Sequence, residues 1–373
     1  MVVFTSICAN YLHKARVLAR SVKKYIPDAV FIVCMTERGL TDSMRDDAFD
    51  SVVLSKDMWE GDFDAYIFKH AIVEASTAVK GQFFRWLYRA YPAEQQFVYL
   101  DPDCRVYSDF SELRELLVTK PIVVCPHLVD RGNVQMEISS MAHGVYNLGF
   151  LAVNRSKEAR AMIEWWAQRL SQYCYDDIPH GIFTDQKWID LAPCFFDVYI
   201  LKHHGYDFAT WRMMDAGLAK EGGVWTVKGQ PLRFVHFSGY GATIEHCMQE
   251  WAPDDLFLKE LYGAYREEHE AANADHVSQT PWSYGCYASG EAVRTDIRQA
   301  WREHKDEMAA FGNPFQYSNL FFNLRLRVYP VTIRERSSIL WNGCRRALRA
   351  GGRRWRPDAE SPSKAAAKIT TAS

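Results

Sequence analysis

Two carboxylates stand one residue apart in Val98-Tyr99-Leu100-Asp101-Pro102-Asp103, at the end of an apolar run, and they are the central chemical signal of the chain. A buried strand that ends in acid delivers its carboxylates to the carboxyl edge of a parallel sheet, where ligands bind in open α/β folds. Residues i and i+2 of an extended segment point the same way, so Asp101 and Asp103 are expected to share one ligand. A divalent cation held between them would neutralise a pyrophosphate. Alone, an Asp-x-Asp is more often a solvated turn. A second piece lies in Phe234-Val235-His236-Phe237-Ser238-Gly239, an apolar strand that carries a histidine and runs into a tight turn. His236 either completes the acidic site as a nitrogen ligand, which favours manganese over magnesium at equal geometry, or is a core histidine satisfied by a backbone partner.

The elements that must position these groups alternate strand and helix. Residues 2–8 are a short apolar run, and 11–25 place Leu12, Ala15, Leu18, Ala19 and Val22 at helical spacing. Residues 30–35 form a second buried strand, which makes a βαβ unit with the helix ended by Pro27. Further strands are expected at 52–54, 96–100, 122–125 and 149–153, giving a sheet of about six, with helices over 67–91 and 159–173. Beyond about Pro253, the stretches 254–272 and 289–310 read as charged, amphipathic helices of a smaller lobe. The expected fold is therefore α/β, with a mainly parallel central sheet and a C-terminal helical lobe. Its parts are a domain over 1–250, a helical lobe over 251–330 and a basic tail over 331–373.

With 373 residues, 48% hydrophobic and 24% charged, the chain can bury a proper core. Lys plus Arg number 44 against 46 Asp plus Glu, a formal charge of −2, so the chain has no overall bias toward nucleic acid. Nine cysteines without a CxxC pair suit reduced thiols better than a disulfide framework or a zinc finger. The N-terminus has neither the basic segment nor the apolar length of a signal peptide, and no stretch is apolar enough to span a membrane. A cytoplasmic protein is the expectation. Eight arginines against Glu335 in 334–356, interleaved with Ile339, Leu340, Trp341, Leu348 and Trp355, suit either contact with an anionic membrane surface or a solvated tail.

Five short motifs in order make the chain resemble the retaining GT-A glycosyltransferases, glycosyltransferase family eight in particular, over roughly residues 1 to 245. Ala9-Asn10-Tyr11 looks like the turn that holds nucleobase and ribose, with Tyr11 stacking on the base. Tyr99-Leu100-Asp101-Pro102-Asp103 looks like the family's DXD motif, and Asn147-Leu148-Gly149-Phe150 like the Asn-x-Gly segment on the sugar and acceptor side. Thr184-Asp185-Gln186 is similar to the Asp-Gln pair beneath the donor sugar, and His236-Phe237-Ser238-Gly239 to the late His-x-x-Gly that gives the third metal ligand.

The resemblance implies a GT-A, Rossmann-like domain that binds a nucleotide sugar, a UDP-sugar in the first place, with Mn2+ or Mg2+. It implies Asp103 and His236 as metal ligands and Asp101 as a bridge between metal and ribose. Ala9, Asn10, Tyr11, Asn147 and Gly149 would line the donor, and Asp185 and Gln186 would lie beneath the sugar. A basic residue ahead of the DXD helps bind the donor in the family; Lys80 is the candidate here, with Lys69 and Arg85 behind it. The acceptor would be a glycan, a lipid-linked glycan or a protein, the lobe over 251–330 would cover the acceptor side, and transfer would retain configuration.

Three positions depart from the pattern. Cys8 stands where relatives have an acid against the base, Tyr240-Gly241-Ala242 replaces a phosphate-gripping lysine, and Lys187 replaces a carboxylate. Two other classes compete. A haloacid-dehalogenase-type phosphatase also places Asp-x-Asp after a strand, but on its first strand and with Thr or Val where Arg105 stands. A carbohydrate-binding protein without catalysis would use Trp251, Trp282, Tyr284, Tyr287 and Trp301 as stacking platforms, although packing explains them more simply.

Overall fold

The structure, a computed structural model, describes residues 1–328; the readings made on 331–373, including the membrane contact of 334–356, lie outside the described residues. The first seven strands are Val2–Ile7 (β1), Val30–Met35 (β2), Ser51–Leu54 (β3), Gln96–Leu100 (β4), Cys104–Val106 (β5), Ile122–Pro126 (β6) and Tyr146–Asn154 (β7). All but β5 join Val198–Ile200 in a seven-stranded sheet of order Val198–Ile200, β6, β7, β4, β1, β2, β3. β1 pairs with β2 and β4 in parallel, as do β2 with β3 and β6 with Val198–Ile200. β7 alone runs antiparallel, to β4 on one side and β6 on the other. The fold is thus α/β with a mostly parallel sheet, as the alternation of elements implies. Every residue of β1 is buried, as a strand covered on both faces must be.

The reversal of β7 matters for the site. Its first residues lie at the same sheet edge as the last residues of β1, β4 and β6. The apolar run at its centre, residues 150–153, does not mark its direction, so this orientation is not written in the hydropathy pattern. Val198–Ile200, half-buried and without alternation, is likewise a strand that the sequence reading lacks.

Helix Leu12–Tyr25 follows β1 as expected, and Lys157–Gln172 follows β7. The single helix expected over 67–91 is three: Phe63–Phe68, Ile72–Ala78 and Lys80–Ala90. Asp62 caps the first by accepting from Ala65 N–H at 3.0 Å, and Glu74 opens the second by accepting from Ala71 N–H at 2.7 Å. Gly81 in the third lets it press against Lys157–Gln172, since a Cβ at 81 would lie 2.7 Å from Ala167 Cα. The helix expected over 289–310 is shorter, Thr295–Met308, and Leu256–Ala272 agrees with its expectation to within two residues.

One face of the sheet packs Phe4, Phe83 and Trp166 together with Trp282, Tyr284, Tyr287 and Trp301 from the C-terminal segment. Each such fully buried side chain stabilises the fold by about 1.5–3 kcal/mol. Packing against the sheet therefore accounts for those C-terminal aromatics. The other face buries Leu18, Val22, Phe31, Val98 and Phe150. A third cluster joins Leu256–Ala272 to the region of His236, where Phe237 stacks on Tyr265 with ring centroids 3.7 Å apart. Among the described residues no helix is long and apolar enough to cross a membrane, and the cysteines are free thiols.

Candidate active site

β4 ends at Leu100, and the next residues turn rather than extend: Cys104 N–H donates to Asp101 O at 2.9 Å. The alternation of an extended chain is therefore not what brings Asp101 and Asp103 together; a tight turn between β4 and β5 does. β5 then pairs antiparallel with Phe234–His236, setting His236 opposite Cys104, and Phe237 N–H donates to Asp103 O at 2.8 Å. That register presents the His236 ring to the turn, and a slip of one residue would send it to the other face. His236 Nε2 lies 3.2 Å from Asp103 Oδ1 and 3.7 Å from Asp101 Oδ2.

Ligand atoms of Asp101, Asp103 and His236 all lie within 4.8 Å of one another. Two carboxylate oxygens and one imidazole nitrogen suit Mn2+ or Mg2+, with the nitrogen favouring manganese, and three protein ligands leave positions free for a bound diphosphate. The residues fit a divalent cation. Burial alone would lower the pKa of His236, but Asp103 and Asp207 outweigh it and raise it to about 10. Burial also works against ionising Asp103, yet Lys14, 3.6 Å away, and His236 hold its carboxyl well below the usual carboxylate range. The protonated imidazole and Lys14 thus supply the positive charge against these carboxylates that a bound divalent cation would share or replace.

Of the three candidate bases only Lys80 reaches this cluster. Its Nζ lies 3.3 Å from Asp101 Oδ1 and 3.0 Å from Asp185 Oδ2, and it donates to Leu148 O at 3.2 Å. Lys69 donates to Ser171 O at 2.6 Å and Arg85 to Glu164 at 2.9 Å, both elsewhere. Burial disfavours the Lys80 ammonium, but Asp101 and Asp185 more than compensate and raise its pKa. Asp185 is itself pushed up by burial, against the pull of Lys80. Tyr99 O–H also donates to Asp101 Oδ1.

Gln186 uses both ends of its amide: Oε1 accepts from Leu148 N–H at 2.8 Å and Nε2 donates to His143 O at 3.1 Å. Asn147 Oδ1 accepts from Gly149 N–H at 2.8 Å and faces His236 Nδ1 at 3.2 Å. Its amide nitrogen meets His127 Nε2 at 3.1 Å. Gly149 lies beneath the imidazole, where a Cβ would come 2.4 Å from His236 Cε1. Ala9 is fully buried, its N–H donating to Glu37 Oε1 at 2.9 Å.

These groups surround a cavity of about 580 Å³ whose wall includes Asn10, Tyr11, Lys80, Asp101, Asp103, Asn147, Asp185, Gln186 and His236. Ala9 and Gly149 are not on that wall; they shape the backbone behind it. Along the sheet edge the order is fixed by β6, β7, β4 and β1, so His127, Asn147, Asp101 and Cys8 follow in sequence. At about 4.8 Å between strands, the Tyr11 end and the His127 end stand roughly 14 Å apart, with the acidic turn between them.

Among the residues of the site that the sequence reading missed, besides His127, two bear charge against the acidic turn and the imidazole. Lys14 comes from the helical face next to Tyr11, where its charge looks like an ordinary solvated lysine. Asp207 is fully buried with Oδ1 3.4 Å from His236 Nδ1, and a lone acid between Tyr206 and Phe208 carries no motif to flag it.

No family model matches the chain. It is 26% identical over 198 residues to the uncharacterized protein YfnF of Bacillus subtilis (strain 168), and 24% identical over 178 residues to the uncharacterized protein YfnD of the same organism. These matches take in 49% and 46% of this chain, and they span 64% and 56% of the two relatives, less than two thirds of either. Among solved structures it is similar to the galactosyltransferase LgtC in complex with donor and acceptor sugar analogs, at a TM-score of 0.43 and 16% identity, over 72% of this chain and 100% of that one.

Proposed function

We propose that this chain is a metal-dependent glycosyltransferase that moves a sugar from a nucleotide-sugar donor, a UDP-sugar by the family resemblance, to a glycan, lipid-linked glycan or protein acceptor with retention of configuration. The observation that carries this reading is the meeting of Asp101, Asp103 and His236 in one cavity, between an accessible tyrosine, Tyr11, and a buried carboxylate, Asp185. A divalent cation held by Asp101, Asp103 and His236 would supply Lewis-acid stabilisation to the departing diphosphate.

The chain's own residues divide the remaining work. Tyr11, 37% exposed on the cavity wall, offers a face for the nucleobase. Lys80 is committed to Asp101 and Asp185, so it orients those two carboxylates and balances their charge. Asp185 lies where a sugar hydroxyl or the anomeric carbon would rest. Gln186 is engaged at both ends of its amide and shapes the wall between Leu148 and His143. Retention follows a front-face course, in which the leaving phosphate oxygen accepts the acceptor hydroxyl's proton and no separate base is required.

A thermal-shift screen of UDP, GDP and their sugar conjugates, each with and without Mn2+, tests this. A ligand at 100 times its Kd stabilises the native state by about 2.7 kcal/mol. A shift from UDP with Mn2+ that disappears in Asp103→Ala supports the reading, and slow release of UDP from a UDP-sugar separates it from a sugar-binding protein without catalysis. Indifference to every nucleotide would overturn it.

A further inference from the structure

Asp207 has no explanation in the backbone alone. It is completely buried, and neither of its carboxylate oxygens takes a conventional hydrogen bond. Its φ of 53° lies in the left-handed region, where asparagine or glycine would serve the chain as well or better. The segment is nonetheless held firmly: Phe208 N–H donates to Phe234 O at 3.3 Å, and His236 N–H donates to Phe208 O at 2.8 Å. These bonds set Asp207 beside the histidine. A buried carboxylate without hydrogen bonds is costly unless positive charge stands against it, and His236 Nδ1, at 3.4 Å, is its ion-pair partner.

The neighbouring amide decides which nitrogen of that ring would keep its proton when a cation takes the other. Gly149 N–H can only donate, so the Asn147 atom that it meets at 2.8 Å is the oxygen. That same oxygen lies 3.2 Å from His236 Nδ1, which must then be the donor. Nδ1–H is thus directed to the Asn147 carbonyl, with an Asp207 carboxylate oxygen 3.4 Å from the same nitrogen as its ion-pair partner. Nε2 is left facing Asp103 Oδ1 at 3.2 Å and Asp101 Oδ2 at 3.7 Å.

We infer that Asp207 is a positioning residue which, with Asn147, fixes His236 with its proton on Nδ1 and so turns Nε2 outward as the nitrogen ligand of a divalent cation. The inference rests on the metal-dependent reading proposed above. A carboxylate behind a ligating imidazole fixes its orientation and raises its basicity, and loss of such a partner commonly weakens metal binding by about 10–100-fold. The charge of Asp207 then finds its purpose once the imidazole shares the charge of a cation.

The test is Mn2+ titration of the full chain without nucleotide, read from the electron paramagnetic resonance signal of free Mn2+, for wild type and Asp207→Asn. Asparagine tolerates the left-handed backbone and keeps the side-chain shape, so circular dichroism should be unchanged while Mn2+ binding weakens about 10-fold or more. Equal affinity within twofold overturns the inference and leaves the metal site standing. Absence of Mn2+ binding by the wild type overturns the metal site and this inference with it. A second measurement needs no folded variant: two-bond 1H–15N correlation of the Mg2+-loaded wild type, with the His236 signals assigned by His236→Gln. A proton on Nδ1 supports the arrangement, and a proton on Nε2 overturns it.

Discussion

The Lys80 ammonium stands 3.0 Å from the Asp185 carboxylate, and both side chains are almost wholly buried. They come from distant parts of the chain, the start of helix Lys80–Ala90 and the residue before Gln186, and Lys80 extends the link to Asp101 at 3.3 Å. One buried cation therefore ties the floor of the cavity to its acidic turn. Removing one member of a buried ion pair costs about 3–5 kcal/mol, because the partner's charge is left without compensation. Lys80→Met is expected to lower the stability from urea denaturation by about 3 kcal/mol or more, and to abolish sugar transfer. A stability loss below about 1 kcal/mol, typical of an exposed pair, would show that this clasp does not hold the site together.

Gly149 and His236 give a second expectation. A methyl at 149 would sit 2.4 Å from His236 Cε1 and 2.6 Å from both His236 Nδ1 and Asn147 Oδ1. The imidazole is pinned by the register of Phe234–His236 on β5 and has no slack to retreat. Gly149→Ala is expected to cost about 1–3 kcal/mol, as overpacking does, and to displace His236 from the acidic turn. Calorimetry of Mn2+ binding checks the second part. An alanine variant with wild-type affinity would mean that the ring is freer than its packing indicates.

Much of this architecture is legible in the sequence, and the reasons where it fails are physical. The apolar runs ending at Cys8, Met35 and Leu100 read directly as buried strands, and Asp101 with Asp103 follow the third, because burial on both faces demands an apolar run and ligand chemistry demands acid at its end. The direction of β7 is not legible, since an apolar run reads the same in both senses. Lys80 is visible only as one of several lysines and arginines on helices, and its choice over Lys69 and Arg85 depends on how the helices at 72–90 break. Asp207 is hidden because its significance comes from a strand pairing made with residues 234–236. Ala9 and Gly149 sit within motifs yet act behind the cavity wall, through the Glu37 carboxylate and the His236 ring.

Tyr11 carries a third expectation. It lies on the cavity wall with 37% of its surface exposed, and Lys14 Nζ sits 4.1 Å from its ring centroid. The ring contributes little to the core, so its removal should leave the fold intact. Stacking of a base on an aromatic ring is worth about 1–3 kcal/mol. Tyr11→Ala is expected to weaken UDP binding in the presence of Mn2+ by roughly 10-fold or more, with an unchanged melting temperature in the absence of ligand. Calorimetric titration decides the matter: undiminished affinity would remove Tyr11 from the nucleotide end of the cavity.

The last expectation concerns acid stability, away from the metal ligands. His13 on helix Leu12–Tyr25 is 4% exposed, and its ring meets His269 of Leu256–Ala272 edge-on, with centroids 4.4 Å apart. Burial above all, then the neighbouring His269, Lys14 and Arg16, lowers its pKa to about 4, and only Asp275 pulls the other way. His269 is lowered too, by burial first and then by Lys14. The unfolded chain keeps the ordinary value near 6.5, so between pH 6.5 and 4 it takes up a proton that the folded protein refuses. Stability from this contact is complete above about pH 6.5 and declines as the pH falls toward 4, loosening the seam between helices Leu12–Tyr25 and Leu256–Ala272. The urea midpoint is expected to drop from pH 7.5 to pH 5.0, and His13→Gln to flatten that slope while leaving a remainder from His269. An identical slope in His13→Gln would assign the acid sensitivity to other groups, such as His127, whose pKa burial lowers to about 3.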